Sequence, residues 1–363
     1  MTKIIRGDKG IYAALIILLL LSFINVLTTY SDTNGVGKLM FEHAVYVVLG
    51  LLIIICFEHI DYKGKLFRLL MIGACAISVL FLGLLYSDLG IGAARAVRTL
   101  NLGFTSIQPV EFVKVFLLIY ICFVCNEKLE LINSSWKDFL IYLLIPIGAI
   151  GVVGLERQGL SSTVIMLGIV FLVMITTQIK KEYKLILIAA GVLLVLVFFF
   201  IGDRNITWLG RIDKLFKFEL SVKDPANAIG RGGLFGTFYG DGKLKEFLAN
   251  IDSDFAFSAL VEEGGILLGT FIILVYAALL LRIAKIVLST NDILGKYLVF
   301  SLGLLIIIQA MVHALVCIGI APETGQQLPF ISKGGSSLIS MSVAIGIIQG
   351  VAIRNSSNNK LAS

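Results

Sequence analysis

The residues best suited to chemistry are carboxylates, lysines and hydroxyls that border or interrupt apolar segments. They fall in three stretches, residues 108–114, 252–263 and 322–337. A charged side chain inside a bilayer costs about 2.5–3.5 kcal/mol on insertion scales, so such a residue usually marks a functional site. A carboxylate in this position can take a proton from an attacking hydroxyl, and a helix N-terminus can hold an anion. The three stretches are therefore predicted to form a site.

The first stretch, QPVEFVK at 108–114, opens a predicted helix. Pro109 suits the first turn of that helix, where its missing N–H is not needed. Glu111 and Lys114 lie three residues apart, so they share one helix face and can pair. Two interpretations stay open. The pair either holds the helices together internally, or it faces a polar cavity near the outer membrane surface.

The second stretch places Asp252, Ser253 and Asp254 where a long outside loop meets the next apolar segment. Asp254 can act there as the general base for a hydroxyl nucleophile. It can equally cap the helix, whose N-terminus favours a negative charge. The residues alone leave both interpretations open. Further along, Glu262 and Glu263 diverge by about 100° on the helix, so at least one is predicted to point inward with a structural role.

The third stretch, 322–337, combines prolines and glycines within a short outside segment. It predicts a fixed irregular turn, which is tolerated at membrane depth only when it is buried in protein or lines water. Ser336 and Ser337 then open a helix whose N–H groups can hold an anion. Lys333 has three interpretations. It binds pyrophosphate, it compensates a loss elsewhere, or it extends its ammonium to the interface while its alkyl chain packs on apolar surface.

Membrane helices must position these stretches. With 58% hydrophobic and 15% charged residues and a mean hydropathy of +0.97, the composition excludes a soluble globular protein. Runs able to cross about 30 Å of hydrocarbon predict an all-α polytopic membrane protein with about ten transmembrane helices. The predicted spans are residues 11–28, 40–58, 67–86, 108–125, 139–155, 160–178, 184–201, 255–282, 297–321 and 336–353.

Lysine and arginine set the predicted orientation. They concentrate in alternate loops, which predicts two cytoplasmic termini (N-in, C-in) and an even number of spans. One long extracytoplasmic loop, about residues 202–254, separates spans 7 and 8, and long loops are usually functional. Residues 1–354 are predicted to form a single transmembrane domain, followed by a disordered cytoplasmic tail at 355–363. The net charge of +6 is then a topology signal and indicates no nucleic-acid partner.

Three other patterns have non-catalytic interpretations. Residues 208–216 carry apolar residues at helical spacing between charges, which predicts a short helix at the membrane interface. The glycines of 230–236 lack the strand and helix context of a dinucleotide fingerprint, so we expect them to allow tight turns. Cys122 and Cys125 form a CxxC without a second ligand pair, which predicts packing rather than a metal or redox site.

In this order along a multi-spanning chain, the three stretches resemble the SEDS family (shape, elongation, division and sporulation). That family polymerises lipid-linked peptidoglycan precursors. The first stretch is similar to the family's QPSE motif and its following lysine, with Val110 in place of the serine. Asp254 matches the aspartate implicated in the family's catalysis. The stretch at 322–337 is the strongest match, and the resemblance covers nearly the whole chain.

The chain departs from the family pattern at four notable positions. Asp252 stands where the family usually has histidine, and Lys333 stands where it usually has tyrosine. Thr99 and Gln158 replace a usual tryptophan and a usual aspartate. The catalytic aspartate is thus retained in altered surroundings.

The resemblance implies a peptidoglycan glycosyltransferase at the outer face of the bacterial cytoplasmic membrane, serving elongation, division or sporulation. The implied substrate is lipid II, a disaccharide pentapeptide on undecaprenyl pyrophosphate. Asp254 would be the catalytic residue. The expected substrate-binding residues are Glu111, Lys114, Gln108, Arg98, Arg211, Lys333, Ser336 and Ser337. The expected partners are a class B penicillin-binding protein, which supplies crosslinking, and membrane lipids.

No cofactor is demanded by the sequence, although a divalent cation (Mg or Mn) would suit a pyrophosphate leaving group, with ligands unknown. Two alternative functions stay open. The first is a flippase for lipid-linked precursors, although the internal repeats typical of many transporter folds are not evident. The second is a weakly active scaffold for a partner synthase, which the departures at Thr99 and Gln158 keep open.

Overall fold

The computed structural model describes residues 6–30, 35–87, 90–93, 96–101, 106–155, 160–201, 225–248 and 250–362. The chain divides into two compact units, each assembled from three chain segments. Unit 1 contains Met1–Ile55, Ile206–Lys285 and Ile306–Ser342. Unit 2 contains Cys56–Asn205, Ile286–Leu305 and Val343–Ser363. The single domain expected over 1–354 stays a prediction.

The described chain is mainly helical. Its helices are α1 Lys9–Thr29, α2 Val36–His59, α3 Lys65–Leu84, α4 Pro109–Glu127, α5 Leu129–Ser134, α6 Trp136–Phe139, α7 Ile145–Val153, α8 Leu160–Thr176, α9 Lys181–Ile201, α10 Pro225–Gly232, α11 Leu244–Phe247, α12 Ile251–Asp254, α13 Ala256–Ser289, α14 Ile293–Cys317 and α15 Gly335–Ala362.

Eight helical segments of the described chain are long and apolar enough to cross a membrane. They are Lys9–Thr29, Val36–His59, Lys65–Leu84, Pro109–Glu127, Trp136–Val153, Ala256–Ser289, Ile293–Cys317 and Gly335–Ser356. The two remaining predicted spans, 160–178 and 184–201, coincide with α8 and α9. The polytopic helical fold is confirmed, whereas the total of ten spans and the orientation of the termini stay predictions.

A small antiparallel sheet, which the sequence did not predict, precedes α4. Its strands are β1 Gly90–Ala93, β2 Ala96–Asn101 and β3 Ser106–Ile107, in the order β1-β2-β3. Leu100 of β2 is fully buried and packs with Leu82, Leu85 and Val113. Strands of this length leave little periodic pattern, yet pairing satisfies the backbone hydrogen bonds of a segment outside the helices. The sheet leads directly into the QPVEFVK helix.

The fifth predicted span is interrupted by a π-helical turn at Leu140–Leu144 between α6 and α7. Pro146 follows this turn in the first positions of α7. Proline has no N–H to donate to the preceding turn, and its ring crowds the carbonyl four residues earlier. A wider turn accommodates both effects, so the chain stays helical from α6 through the π-helical turn into α7.

Helix α13 is broken near its N-terminal end at Gly265, whose φ of 75° and ψ of 176° are outside the helical region. This backbone conformation is essentially restricted to glycine. The glycine-rich loop that follows α10 fills the break with hydrogen bonds from its own backbone. Ile266 N donates to Gly233 O at 2.8 Å, and Thr237 N donates to Glu262 O at 3.0 Å. The prediction that these glycines allow tight turns is confirmed, since Gly233 has a φ of 55°.

Gly265→Ala is expected to lower the free energy of unfolding by about 2–3 kcal/mol, because it forces a side chain into a glycine-only conformation. A Cβ at this position would also collide with the carbonyl oxygen of Leu234. The measurement is thermal unfolding of the purified protein in detergent. Gly73→Ala in α3 is the matched control, since a Cβ there meets nothing within 4 Å. Equal midpoints for the two variants would contradict the prediction.

Helix α15 continues to Ala362, and the disordered tail expected at 355–363 stays a prediction. Asn355 donates from Nδ2 to Ser289 Oγ at 3.0 Å, and Ser356 Oγ donates to Ile353 O at 2.7 Å. Each added helical residue gains a hydrogen bond once a helix has formed, so a polar tail can extend it. The predicted interfacial helix at 208–216 lies outside the described residues.

Candidate active site

Asp254 lies at the end of a short helical turn, α12, immediately before the membrane helix α13. The turn starts at Asn250, which has a left-handed φ of 59°, and Asp254 N donates to Asn250 O at 2.9 Å. Phe255 O accepts the first bond of α13 from Ala259 N at 3.0 Å. Phe255 therefore holds the N-cap position, and Asp254 precedes it by one residue. The general-base role of Asp254 stays a prediction.

The backbone of α12 is held by hydrogen bonds from elements far away in the sequence. Asn25 of α1 donates from Nδ2 to Asp252 O at 2.8 Å. Lys333 N donates to the same oxygen at 2.9 Å. Ser332 Oγ donates to Ser253 O at 2.6 Å. Three donors from α1 and the last outside loop therefore fix the turn that carries Asp254.

The Asp252 side chain, which is 9% exposed, is bound by Tyr30 and Lys333. Tyr30 OH donates to Asp252 Oδ2 at 2.9 Å, and Lys333 Nζ lies 3.5 Å from the same oxygen. The ammonium also lies 4.3 Å from the centre of the Tyr30 ring, at cation–π distance. Burial and then the negative charge of Asp252 raise the pKa of Tyr30, so its hydroxyl remains a donor at neutral pH.

The sequence offered a pyrophosphate ligand, a lysine that compensates a loss elsewhere, or an interfacial ammonium. In the structure, Lys333 forms an ion pair with Asp252 inside the protein. Two of the positions at which the chain departs from the SEDS pattern, Asp252 and Lys333, therefore contact each other. A carboxylate at one position and a lysine at the other neutralise each other, which accounts for both departures together.

The loop at 322–334 is held by hydrogen bonds from polar side chains of α13 and α14, in keeping with the fixed turn that its prolines and glycines predict. Gln309 Nε2 donates to Gln327 O at 3.0 Å, and His313 Nδ1 donates to Gln326 O at 2.7 Å. Tyr276 OH donates to Pro329 O. Sequence reasoning missed these residues, although single polar side chains within apolar spans were the available signal.

Ser336 and Ser337 lie in the first turn of α15, as predicted. Ser337 is 4% exposed, and its Oγ is buried without a hydrogen-bond partner among the described residues. A buried hydroxyl without a partner is costly, so this atom is a candidate to bind a ligand oxygen. Both hydroxyls of the predicted anion site therefore lie in the first turn of α15, and anion binding there stays a prediction.

Glu111 and Lys114 form the predicted ion pair in unit 2. Lys114 Nζ lies 2.8 Å from Glu111 Oε1, and the side chains are 1% and 4% exposed, respectively. Glu111 Oε2 is buried without a hydrogen-bond partner in the described part of the chain. The direct pairing is confirmed. The unsatisfied oxygen also gives the pair an acceptor that a substrate hydroxyl could use.

The other expected substrate-binding residues are placed as follows. Gln108 is the N-cap residue of α4, without a capping bond from its side chain. Arg98 lies on β2, and its side chain is outside the described atoms. Arg211 lies outside the described residues. Asp254, Lys333, Ser336 and Ser337 therefore belong to unit 1, whereas Arg98, Gln108, Glu111 and Lys114 belong to unit 2.

Glu262 has the inward, structural position expected for at least one of the paired glutamates. Its side chain is 2% exposed, and its Oε1 lies 2.8 Å from Arg231 Nε. Its Oε2 accepts a hydrogen bond from Leu244 N at 3.0 Å. Glu262 therefore links the segment that contains α10 and α11 to the broken helix α13 through one ion pair and one hydrogen bond. Arg231 was not identified from the sequence.

Nothing in the described chain fits a metal site. No group of three or more His, Cys, Asp or Glu side chains there is arranged to hold an ion. Asp252 already pairs with Lys333, and Glu262 already pairs with Arg231. Cys122 contacts Ser301 at 3.2 Å and is buried, in keeping with a packing role. The expectation of Mg or Mn stays a prediction, and no step of the reaction is derived from it.

Comparison with known proteins identifies the family. The family model described as "Cell cycle protein", which covers FtsW, RodA and SpoVE, matches residues 9–357. The chain belongs to the FtsW/RodA/SpoVE family. It is 28% identical over 325 residues to the "Probable peptidoglycan glycosyltransferase FtsW" of Geobacter metallireducens, covering 86% of this chain and 84% of that protein. It is also 28% identical over 353 residues to "Stage V sporulation protein E" of Bacillus subtilis, covering 93% and 95%.

Solved structures share the fold of this FtsW/RodA/SpoVE-family protein. A chain from a structure of a peptidoglycan synthase complex, described as coordinating polymerization and crosslinking, aligns with a TM-score of 0.76 and 21% identity, covering 96% of this chain and 98% of that one. The rod shape determining protein RodA of Thermus thermophilus aligns with a TM-score of 0.67 and 21% identity, covering 95% and 96%. The protein is thus a multi-pass protein of the bacterial membrane with the family fold.

Proposed function

We propose that this FtsW/RodA/SpoVE-family protein is a peptidoglycan glycosyltransferase that polymerises lipid II at the outer face of the cytoplasmic membrane. The observation that carries the proposal is Asp254. Its carboxylate stands at the mouth of a membrane helix, on a turn whose backbone is held by three hydrogen bonds from distant elements. The family relationship to proteins named peptidoglycan glycosyltransferases supports the same reaction.

In the proposed reaction, the 4-hydroxyl of the acceptor sugar attacks the anomeric carbon of the donor sugar. A bond forms between the acceptor oxygen and that carbon, while the bond from the carbon to the pyrophosphate oxygen breaks. Asp254 takes the hydroxyl proton, and undecaprenyl pyrophosphate leaves with the bonding electrons. A base held within hydrogen-bond reach of the hydroxyl is the main requirement for this step.

Negative charge develops on the pyrophosphate as it leaves, and preorganised donors or cations are usually the largest catalytic contribution at such a point. Ser336 and Ser337, in the first turn of α15, are the proposed donors in unit 1. The sequence prediction that Lys114, Arg98 and Arg211 supply cations to the substrate stays a prediction. Lys114 is paired with Glu111, so its contribution requires the substrate to engage the pair as a whole.

The proposed partner is a class B penicillin-binding protein, which would crosslink the new strands. Purified protein should convert lipid II to glycan polymer, and the partner should increase the rate severalfold by stabilising the active conformation. The measurement is gel separation of labelled polymer. The Asp254→Asn variant with the same partner controls for contaminating polymerases.

Absence of polymer in both conditions would contradict the proposed function. Movement of lipid II across vesicles without polymer would support a flippase instead.

A further inference from the structure

The ammonium of Lys333 is used by contacts within unit 1. Lysine carries three N–H donors. Nζ lies 3.5 Å from Asp252 Oδ2 and 3.3 Å from Tyr30 OH, and it also faces the Tyr30 ring. The side chain is 24% exposed. The ammonium is therefore held by a carboxylate, a phenol oxygen and a ring of the protein itself.

The same three residues are coupled to the turn that carries Asp254. Asp252 lies two residues before Asp254 within the four-residue helix α12. Its carbonyl accepts from Lys333 N at 2.9 Å, while its carboxylate binds the Lys333 side chain. Lys333 therefore contacts Asp252 through both its main chain and its side chain. Movement of either residue would shift α12.

We propose that Tyr30, Asp252 and Lys333 form a positioning unit that fixes the orientation of Asp254 without touching the substrate. The inference rests on the proposed function, because it assigns these residues to the same glycosyl transfer. A misplacement of about 1 Å at a reacting group can lower the rate by about 100-fold. The positioning unit keeps a buried carboxylate compensated, and thereby prevents α12 from turning outward to hydrate Asp252.

The first variants separate positioning from substrate binding. Lys333→Met leaves Asp252 without its cation, and is expected to lower kcat by about 10- to 100-fold while the KM for lipid II stays within about twofold. Tyr30→Phe removes only the hydroxyl bond to Asp252 and keeps the ring, so a smaller fall in kcat is expected. Lys38→Met is the matched control, since Lys38 is 82% exposed at the start of α2 and should retain wild-type rates.

The double variant Asp252→Asn, Lys333→Met gives the sharpest test. Removal of both charges leaves no uncompensated group, so kcat should recover at least about fivefold over Lys333→Met alone. A purely substrate-binding lysine would show no such rescue. The assay measures initial rates of lipid II polymerisation at several salt concentrations, with the unfolding midpoint of each variant recorded in parallel.

Three outcomes would overturn the positioning unit. The first is wild-type kcat in Lys333→Met and Tyr30→Phe. The second is a raised KM for Lys333→Met that depends on salt, which would make Lys333 an anion ligand. The third is a double variant no faster than the single one. If Lys333→Met does not fold, the kcat of Tyr30→Phe decides the matter. An inactive wild-type protein would instead contradict the proposed function itself.

Discussion

Asp254→Asn is expected to abolish polymerisation of lipid II while the protein still inserts and folds. The amide has nearly the same shape as the carboxylate but cannot accept the proton of the attacking hydroxyl. A positioned general base contributes about 10²- to 10⁴-fold to the rate, so the variant should polymerise more slowly than the wild type by at least such a factor. Asp254 is partly buried and precedes the N-cap residue of α13.

The measurement is the initial rate of polymer formation by purified protein, together with its unfolding midpoint. Asp241→Asn is the matched control, because Asp241 is an exposed carboxylate in the same outside segment. The control should keep both the rate and the midpoint of the wild type. An Asp254→Asn variant that polymerises at nearly the wild-type rate would show that Asp254 is not the base.

Glu111→Gln and Lys114→Met should each destabilise the protein by about 3–5 kcal/mol, because each change strands a buried charge. The pair is 2.8 Å apart and almost inaccessible to solvent. The double variant leaves no unpaired charge, so we expect it to be more stable than either single variant. A double-mutant cycle on unfolding midpoints in detergent measures this coupling.

The exposed pair of Lys38 and Glu42 provides the control cycle. Its charged atoms are 4.0 Å apart, and the side chains are 82% and 49% exposed. Exposed pairs are worth about 0–1 kcal/mol, so its coupling should be close to zero. Additive losses at Glu111 and Lys114 would contradict direct pairing in the membrane.

Polymerisation by the Glu111→Gln, Lys114→Met double variant then separates the two interpretations of the pair. If the pair only holds the helices together, the double variant should recover activity together with stability. A pair that also binds substrate predicts that activity stays low, because the carboxylate charge of Glu111 and the ammonium of Lys114 are both lost.

The sequence alone determined the features that depend on local physics. Hydrophobic runs of membrane-spanning length predicted where the long helices lie, because the cost of burying polar groups in hydrocarbon acts on each segment separately. The pairing of Glu111 with Lys114 followed from their spacing on one helix. The position of Asp254 at a helix mouth followed from the boundary between a polar loop and an apolar run. Each of these needed only neighbours in the chain.

Only the tertiary structure decided which distant residues meet. Nothing in the local sequence pairs Asp252 with Tyr30 and Lys333, since helix packing and loop paths bring them together. The break at Gly265 likewise depends on the glycine-rich loop, which supplies hydrogen bonds that the helix itself lacks. Helical period and hydropathy describe one element at a time. The partners of a buried charge or an open backbone group are set by the packing of elements far apart in the chain.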